Sequence, residues 1–176
     1  MNFSALIKER YSVRKFADKK VEKEVLQKIL EAGRLAPTAA NLQPQRILVI
    51  QGETGLQKIK EATTYHFDAP LTLIICYDEA ACWKHPQSLK KSGEVDASIV
   101  TTHMMLEIAN LGLGTTWVGH FDPEILKKAF HLPSTLIPIA LLPIGYPAES
   151  SQPTPKHFRR LDLDYTVFYE EFPEDY

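Results

Sequence analysis

The chain has 176 residues, enough for one compact domain with a buried core and too few for two large ones. Hydrophobic residues make up 44% and charged residues 24%, an ordinary balance for a globular protein. The formal net charge of -2 gives no basic excess, which argues against a protein that binds nucleic acid.

No apolar stretch reaches the ~18 residues that a membrane-spanning helix needs. Lys8, Glu9 and Arg10 come early and leave no apolar core for a signal peptide. The two cysteines, Cys76 and Cys82, fit neither a disulfide framework nor a metal site. We therefore expect a protein of the reducing cytoplasm that does not associate with membranes.

The first half of the sequence alternates helical and strand patterns. In chain order, the patterns predict a short helix beginning near residues 2–4, a helix over 22–35, a strand over 46–50, a turn at 52–55, a helix over 56–63 and a strand over 71–77. Pro37 stops the second helix. The strand over 71–77 is nearly all apolar, which predicts that both of its faces are covered.

The second half continues the alternation, which indicates an α/β or α+β fold. The patterns predict a surface excursion over 78–93, a helix over 94–111, a short strand over 115–118, a helix opening at 122–124 and a last core strand over 136–145. Gly112 fits a helix C-terminus, and Asp122 with Pro123 fits a helix N-terminus. Pro138 and Pro143 predict either an edge position or bulges for the last strand.

Two segments are more apolar than a solitary chain requires. The helix over 94–111 has apolar residues around most of its circumference, so it is either buried or covered by a partner. The tail from Ala148 onward combines a basic patch, 156–160, with several aromatic residues, and it would expose too much apolar surface if left free. The tail either packs on its own domain or reaches across to a second subunit.

Arg10, Ser12 and Arg14 alternate at two-residue spacing. In an extended segment, such residues point to one side, where two guanidinium groups and a hydroxyl would suit a phosphate and an electron-rich ring. On its own, an R-x-S-x-R pattern is more often a solvated basic surface.

The stretch over 35–44 leads from a helix to a strand through small residues and two amides, Asn41 and Gln43. Small residues let a flat ligand approach the backbone, and the amides can donate to and accept from a heteroaromatic edge. Taken alone, such a stretch is more often a plain connecting loop.

The stretch over 111–119 ends a helix on glycine and turns into a short strand. Its glycines follow a helix and lack the G-x-G-x-x-G spacing, so a dedicated dinucleotide-binding half is not predicted. The six histidines show no metal-ligand spacing, and no nucleophile signature stands out, so we predict no metal site and no catalytic side chain.

In this order, the segments resemble the nitroreductase superfamily of FMN enzymes. The motifs that carry the resemblance are R-x-S-x-R-x-F at 10–16, A-P-T-A-x-N-x-Q-P within 32–44, D-A-P at 68–70, D-A-S at 96–98, L-G-L-G-T-T-W-V-G at 111–119 and L-L-P-I-G-Y-P at 141–147. Each motif is weak alone, but their order and spacing cover almost the whole chain.

The resemblance implies an α+β fold with a central, mainly antiparallel sheet flanked by helices. It implies a single domain over 1–176 that forms an intertwined homodimer, with 148–176 as a C-terminal arm wrapping the partner subunit. Many members carry extra helices that form a lid over the flavin, and residues 78–93 leave little room for one here.

The resemblance also implies a set of FMN contacts. Arg10 and Ser12 would hold the phosphate, and Arg14 would lie near N1 and O2 of the flavin, where a cation stabilises the reduced ring. The backbone of Pro37, Thr38 and Ala39, with the side chains of Asn41 and Gln43, would come from the partner subunit. Val118 and Gly119 would present backbone to N5. Either Arg159 or Arg160 would complete the phosphate clamp.

The implied activity is ping-pong transfer of hydride from NADH or NADPH, through flavin N5, to a nitroaromatic, quinone or similar small acceptor. Alternatives within the superfamily are dehalogenation, azoline oxidation and flavin breakdown. Alternatives from other classes are a low-turnover FMN carrier and a domain that binds no flavin.

Overall fold

The computed structural model describes residues 2–173; residue 1 and residues 174–176, the end of the predicted arm, lie outside the described residues. The helices are α1 (Phe3–Glu9), α2 (Lys23–Arg34), α3 (Glu53–Ala62), α4 (Gly93–Asn110) and α5 (Pro123–Phe130). The strands are β1 (Gln45–Ile50), β2 (Leu71–Asp78), β3 (Gly114–Thr115) and β4 (Leu136–Gly145). Short 3-10 turns cover Ala39–Asn41, Pro155–Phe158 and Leu163–Tyr165.

The four strands form one sheet in the order β1-β2-β4-β3. Every neighbouring pair is antiparallel: Leu48 lies opposite Ile74, Ile74 opposite Leu141, and Gly114 opposite Gly145. An antiparallel sheet with helices packed on it is an α+β arrangement, so the predicted fold class is confirmed.

β2 is the middle of the hydrophobic core. Its residues 71–76 are buried, and its side chains alternate between the two faces of the sheet. Leu71, Leu73 and Ile75 pack in the core cluster that includes α2 and α4, and Ile74 and Cys76 pack in the cluster that includes α3 and α5. The prediction that this strand is covered on both faces is confirmed.

The sequence predicts either an edge position or bulges for the prolines of β4. In the strand order β4 lies between β2 and β3, so it is not an edge strand along its whole length. The bulge alternative is confirmed at Pro138, because the β2–β4 register shifts where Cys76 pairs with Pro138. β3 pairs only with Ile144 and Gly145, so neither proline is required to donate a hydrogen bond to it.

Two predicted element bounds are corrected. α3 begins at Glu53, because Gly52 is its N-cap and Gly55 lies in its first turn. A Cβ on Gly55 would lie 2.8 Å from Ile50 Cγ2, so this glycine allows close packing and does not form a turn. The strand predicted over 115–118 is divided into β3 and a separate bridge that joins Val118 to Leu141.

Other local predictions are confirmed. Asp122 caps α5, accepting from the Glu124 and Ile125 N–H groups at 2.9 and 3.0 Å. Gly112 follows α4 with a φ of 76°, a left-handed conformation that favours glycine. Residues 79–92 form turns and one bridge, between Lys84 and Lys91, as expected of a surface excursion.

The helices of residues 2–173 are all too short or too polar to cross a bilayer.

Candidate functional site

A pocket of about 230 Å³ gathers positive side chains from the two ends of the chain. We call it the cationic pocket, and its lining residues are Arg10, Tyr11, Ser12, Arg14, Thr154, Lys156, His157 and Arg160. The three residues of the R-x-S-x-R motif therefore do meet, and a tail arginine meets them.

Local structure aims the motif into this pocket. Arg10 is the C-cap of α1, where its N–H donates to Leu6 O at 2.9 Å. The chain then runs beside β3, with Ser12 in a bridge to Thr115 and the Val13 N–H donating to Thr115 O at 3.0 Å. Side chains alternate along such a segment, so buried Val13 faces the core while Ser12 and Arg14 face the pocket.

Gly114 allows the motif to approach β3 this closely. A Cβ at Gly114 would lie 2.4 Å from Val13 Cγ2, well inside van der Waals contact. We therefore predict that Gly114→Ala displaces the motif, lowering the melting temperature and weakening binding of anions in the pocket.

Thermal denaturation and a phosphate titration would check this prediction, with Gly52→Ala as the matched control. A Cβ at Gly52 meets nothing within 4 Å, so that variant should bind phosphate like the wild type and lose only the preference for glycine over alanine at a helix N-cap. Equal melting temperatures for the two variants would contradict the close contact.

The tail reaches the pocket through contacts far apart in sequence. The Tyr11 hydroxyl donates to Ser151 Oγ at 3.1 Å, and the Tyr11 ring meets His157 edge to face at 6.4 Å between centroids. Arg160 then donates from Nη1 to the carbonyl oxygens of His157 and Arg159 at 2.6 and 2.7 Å. Arg160 lines the pocket and Arg159 does not, a choice that the sequence left open.

The electrostatics of the cationic pocket are unbalanced. Among residues 2–173, no carboxylate forms an ion pair with Arg10, Arg14, Lys156 or Arg160. Burial lowers the pKa of Arg10, and the nearby charge of Arg160 lowers it further. A bound anion would relieve this repulsion, and guanidinium, ammonium and hydroxyl donors suit a phosphate. The donor set therefore fits the phosphate of FMN.

Lys156, His157, Tyr11 and Thr154 line the pocket but were not predicted to do so. The basic patch over 156–160 was a signal for the first two. For Tyr11 and Thr154 the sequence carries no comparable signal, because their places depend on how the tail folds back.

The loop over 37–43 has an unusual backbone. Ala40, Asn41 and Gln43 have φ angles of 50°, 54° and 51°, a left-handed conformation that costs a non-glycine residue of the order of 1 kcal/mol or more. Within the loop, the Gln43 N–H donates to Thr38 Oγ1 at 3.0 Å. The Ala39 N–H donates to Asp96 Oδ1 at 2.8 Å, so it is not available to a ligand.

The third segment offers one open backbone position. The N–H and carbonyl of Val118 both pair with Leu141, at 3.0 and 2.9 Å, and its side chain is buried. Gly119 is exposed, and no hydrogen bond joins its backbone to the described residues. Of the two residues predicted to face flavin N5, Gly119 alone keeps its backbone free.

The predicted contacts fall into two groups at opposite ends of α4. The loop over 37–43 is tied to Asp96 in the first turn of α4. The second group lies near the other end: Arg10 and Tyr11 line a cavity of about 170 Å³ together with Ile108 and Ala109, which lie in the last turns of α4. Asp96 and Ile108 are twelve residues apart, which is about 18 Å along a helix. Within one chain, the structure does not bring the two groups together.

Comparison with known proteins identifies the family to which the chain is related. Residues 7–70 and 65–146 match the model of the Nitroreductase family. A protein of Methanothermobacter thermautotrophicus, named as an NADH dehydrogenase/NAD(P)H nitroreductase, is 32% identical over 157 residues, which cover 85% of this chain and 80% of that protein.

Solved structures give the same result. A nitroreductase family protein from Clostridium difficile has 43% sequence identity and a TM-score of 0.92, covering 98% of this chain and all of the other. A nitroreductase from Exiguobacterium sibiricum, crystallised in complex with FMN, has 22% identity and a TM-score of 0.84, covering 97% of this chain and 98% of the other. The sequence match and the shared fold together establish that this chain belongs to the nitroreductase family.

Proposed function

We propose that the protein is an FMN-dependent oxidoreductase that takes hydride from NADH or NADPH and reduces a small acceptor such as a nitroaromatic or a quinone. The observation that carries the proposal is the cationic pocket, with its four positive side chains and no carboxylate paired to them among residues 2–173. The relatives named as NAD(P)H oxidoreductases, and the FMN bound to the Exiguobacterium protein, support it.

In this proposal, the chain's own residues bind and orient the cofactor. Arg10, Ser12 and Arg160 would hold the phosphate, and Arg14 would hold the pyrimidine edge of the ring. Held by these residues, FMN would supply the redox chemistry, which is hydride transfer from the nicotinamide to the acceptor. Arg14 would place a positive charge where reduction of the ring leaves negative charge, and the exposed Gly119 would leave room for the ring beside the backbone.

We also propose that the working unit is a homodimer with two sites, each built from both chains. Residues that should touch one flavin are anchored about 18 Å apart in one chain. A second copy related by a two-fold axis would bring the N-terminal end of its α4 to the C-terminal end of the first.

The outer face of α4 suits such a partner. Its inner face, including Val100, Met104 and Ile108, is buried against the sheet. Its outer face lines a groove of about 580 Å³ with Val95, Ser98, Ile99 and Thr102, whose spacing forms one stripe along the helix. Val95 is 55% exposed, and Lys90, Lys91, Glu94 and His103 also line the groove, so this face presents an exposed apolar side chain among polar and charged ones.

The C-terminal arm is exposed in a single chain. Five of its large apolar side chains are between 70% and 86% exposed: Phe158, Leu161, Leu163, Tyr165 and Tyr169. Apolar surface on this scale marks an interaction site. It favours an arm that packs on the partner subunit, although Arg160 itself lines the pocket of its own chain.

The visible spectrum of the purified chain tests the function. We expect flavin bands after incubation with FMN, bleaching of those bands by anaerobic NADH or NADPH, and their return when a quinone or nitroaromatic is added. Bands that persist with both nicotinamides would leave an FMN-binding protein without this activity. A colourless protein would overturn the FMN assignment.

Riboflavin provides a matched ligand, because it lacks only the phosphate. If the cationic pocket holds the phosphate, FMN should bind at least about 100-fold more tightly than riboflavin, since each charge-assisted hydrogen bond contributes about 1.5–3 kcal/mol. Equal affinities would show that the pocket does not hold the phosphate.

A further inference from the structure

Asp96, which accepts a hydrogen bond from the loop over 37–43, is a buried carboxylate. It lies in the first turn of α4 and is 2% exposed. Among residues 2–173, no lysine, arginine or histidine forms an ion pair with it. Burying an unpaired carboxylate is costly, so its local partners need an explanation.

Two donors from different segments satisfy the carboxylate. Oδ1 accepts from the Ala39 N–H at 2.8 Å, and Oδ2 accepts from the Ser92 hydroxyl at 2.7 Å. The positive N-terminal end of α4 adds a further favourable interaction. Asp96 thus joins three parts of the fold, which are the start of the loop, the end of the surface excursion and the long helix.

The shape of the loop depends on its hydrogen bond to Asp96. Ala39 opens the short 3-10 turn over Ala39–Asn41, and its N–H would otherwise lack an acceptor there. The next residues include three in the left-handed conformation, which persists only where surrounding contacts hold it. Apart from Asp96, the hydrogen bonds of this loop run mainly between its own residues, such as Gln43 N–H to Thr38 Oγ1.

We propose that Asp96 is a positioning residue for the flavin site, which holds the loop over 38–43 in its bound shape before the flavin arrives. The inference rests on the proposed function. Asp96 itself does not touch the flavin. It acts through Ala39 and thereby sets the direction in which Asn41 and Gln43 point. In this proposal the loop contacts the flavin ring and the cationic pocket binds the phosphate. The effect of Asp96 on flavin affinity can therefore be separated from that of Arg10.

The test compares Asp96→Ala with Asp96→Asn, in the full chain, by fluorescence titration with FMN and with riboflavin. Asp96→Ala should weaken binding of both ligands by the same factor, at least about tenfold, which corresponds to about 1.4 kcal/mol. Asp96→Asn keeps an oxygen that accepts from Ala39 and should recover most of the affinity.

Thr101→Val is the matched control for a purely structural effect. Thr101 is also fully buried in α4, and its hydroxyl donates to Ala97 O at 2.6 Å, but it contacts no part of the loop through that bond. We expect this variant to lose stability without a change in flavin affinity. An equal loss of affinity in Thr101→Val would overturn the positioning role.

Hydrogen exchange in the flavin-free protein gives a second readout that needs no ligand. The amides of residues 39–43 should exchange faster in Asp96→Ala than in the wild type or in Thr101→Val. Unchanged exchange, or an Asp96→Ala variant that binds FMN like the wild type, would overturn the inference. A wild-type chain that bound no flavin would instead overturn the proposed function.

Discussion

Arg10→Gln should lower the affinity for FMN at least about 100-fold, which corresponds to about 2.7 kcal/mol. A guanidinium bound to a phosphate makes charge-assisted hydrogen bonds that contribute about 1.5–3 kcal/mol each. Of the two arginines in the R-x-S-x-R motif, Arg10 is the more buried. Glutamine retains a donor but loses the charge. The flavin-free protein should not lose stability, because Arg10 has no carboxylate partner among residues 2–173 and is repelled by Arg160.

The measurement is a fluorescence titration with FMN and riboflavin, together with thermal denaturation of the flavin-free protein. Arg10→Gln should remove most of the preference for FMN and leave riboflavin binding nearly unchanged. Arg34→Gln is the matched control, since Arg34 is an exposed arginine paired with Glu31 at 2.6 Å on α2. If Arg10→Gln kept the preference for FMN, the phosphate would have to bind elsewhere.

Two variants that are each inactive at limiting FMN should restore activity when they are mixed. One chain carries Arg10→Gln and the other carries Asn41→Asp, which tolerates the left-handed backbone and puts a negative charge beside the reduced ring. If each site combines Arg10 of one chain with Asn41 of its partner, a mixed dimer has one intact site and one doubly altered site. Random exchange of subunits then restores about a quarter of all sites.

The converse mixture sharpens this test. Here a chain carrying both substitutions is mixed with an equal amount of wild type. Each site of a mixed dimer then contains one substituted residue, either at position 10 or at position 41. Random exchange would leave about a quarter of the sites intact, whereas sites built within one chain would leave about half. No recovery in the first mixture and half activity in the second would contradict the shared site.

Much of the fold could be predicted because local chemistry decides it. Asp122 and Pro123 predict the start of α5 from two adjacent residues, and the apolar run of β2 predicts a strand covered on both faces. The order of the family motifs predicts the α+β sheet. The start of α3 was missed because Gly52 and Gly55 read equally well as a turn, and only the packing of Gly55 on Ile50 distinguishes the two.

The candidate site was predicted less completely, because its remaining details depend on long-range contacts. Arg160 and not Arg159 lines the pocket because the tail returns to Tyr11, whose hydroxyl bonds to Ser151 140 residues away. The Ala39 N–H is occupied by Asp96, 57 residues later. Neither pairing has a signature in the sequence. The predicted flavin contacts themselves stay predictions, which the flavin titrations described above test.

If each flavin site is built from both chains, as proposed, flavin binding and subunit association depend on each other. A ligand that bridges two chains binds the dimer and not the separated subunits, so free FMN shifts the association equilibrium by mass action. Diluting the protein would release flavin even at a fixed FMN concentration, and adding FMN would tighten subunit association. Flavin content would then report the concentration of the chain as well as the supply of the cofactor.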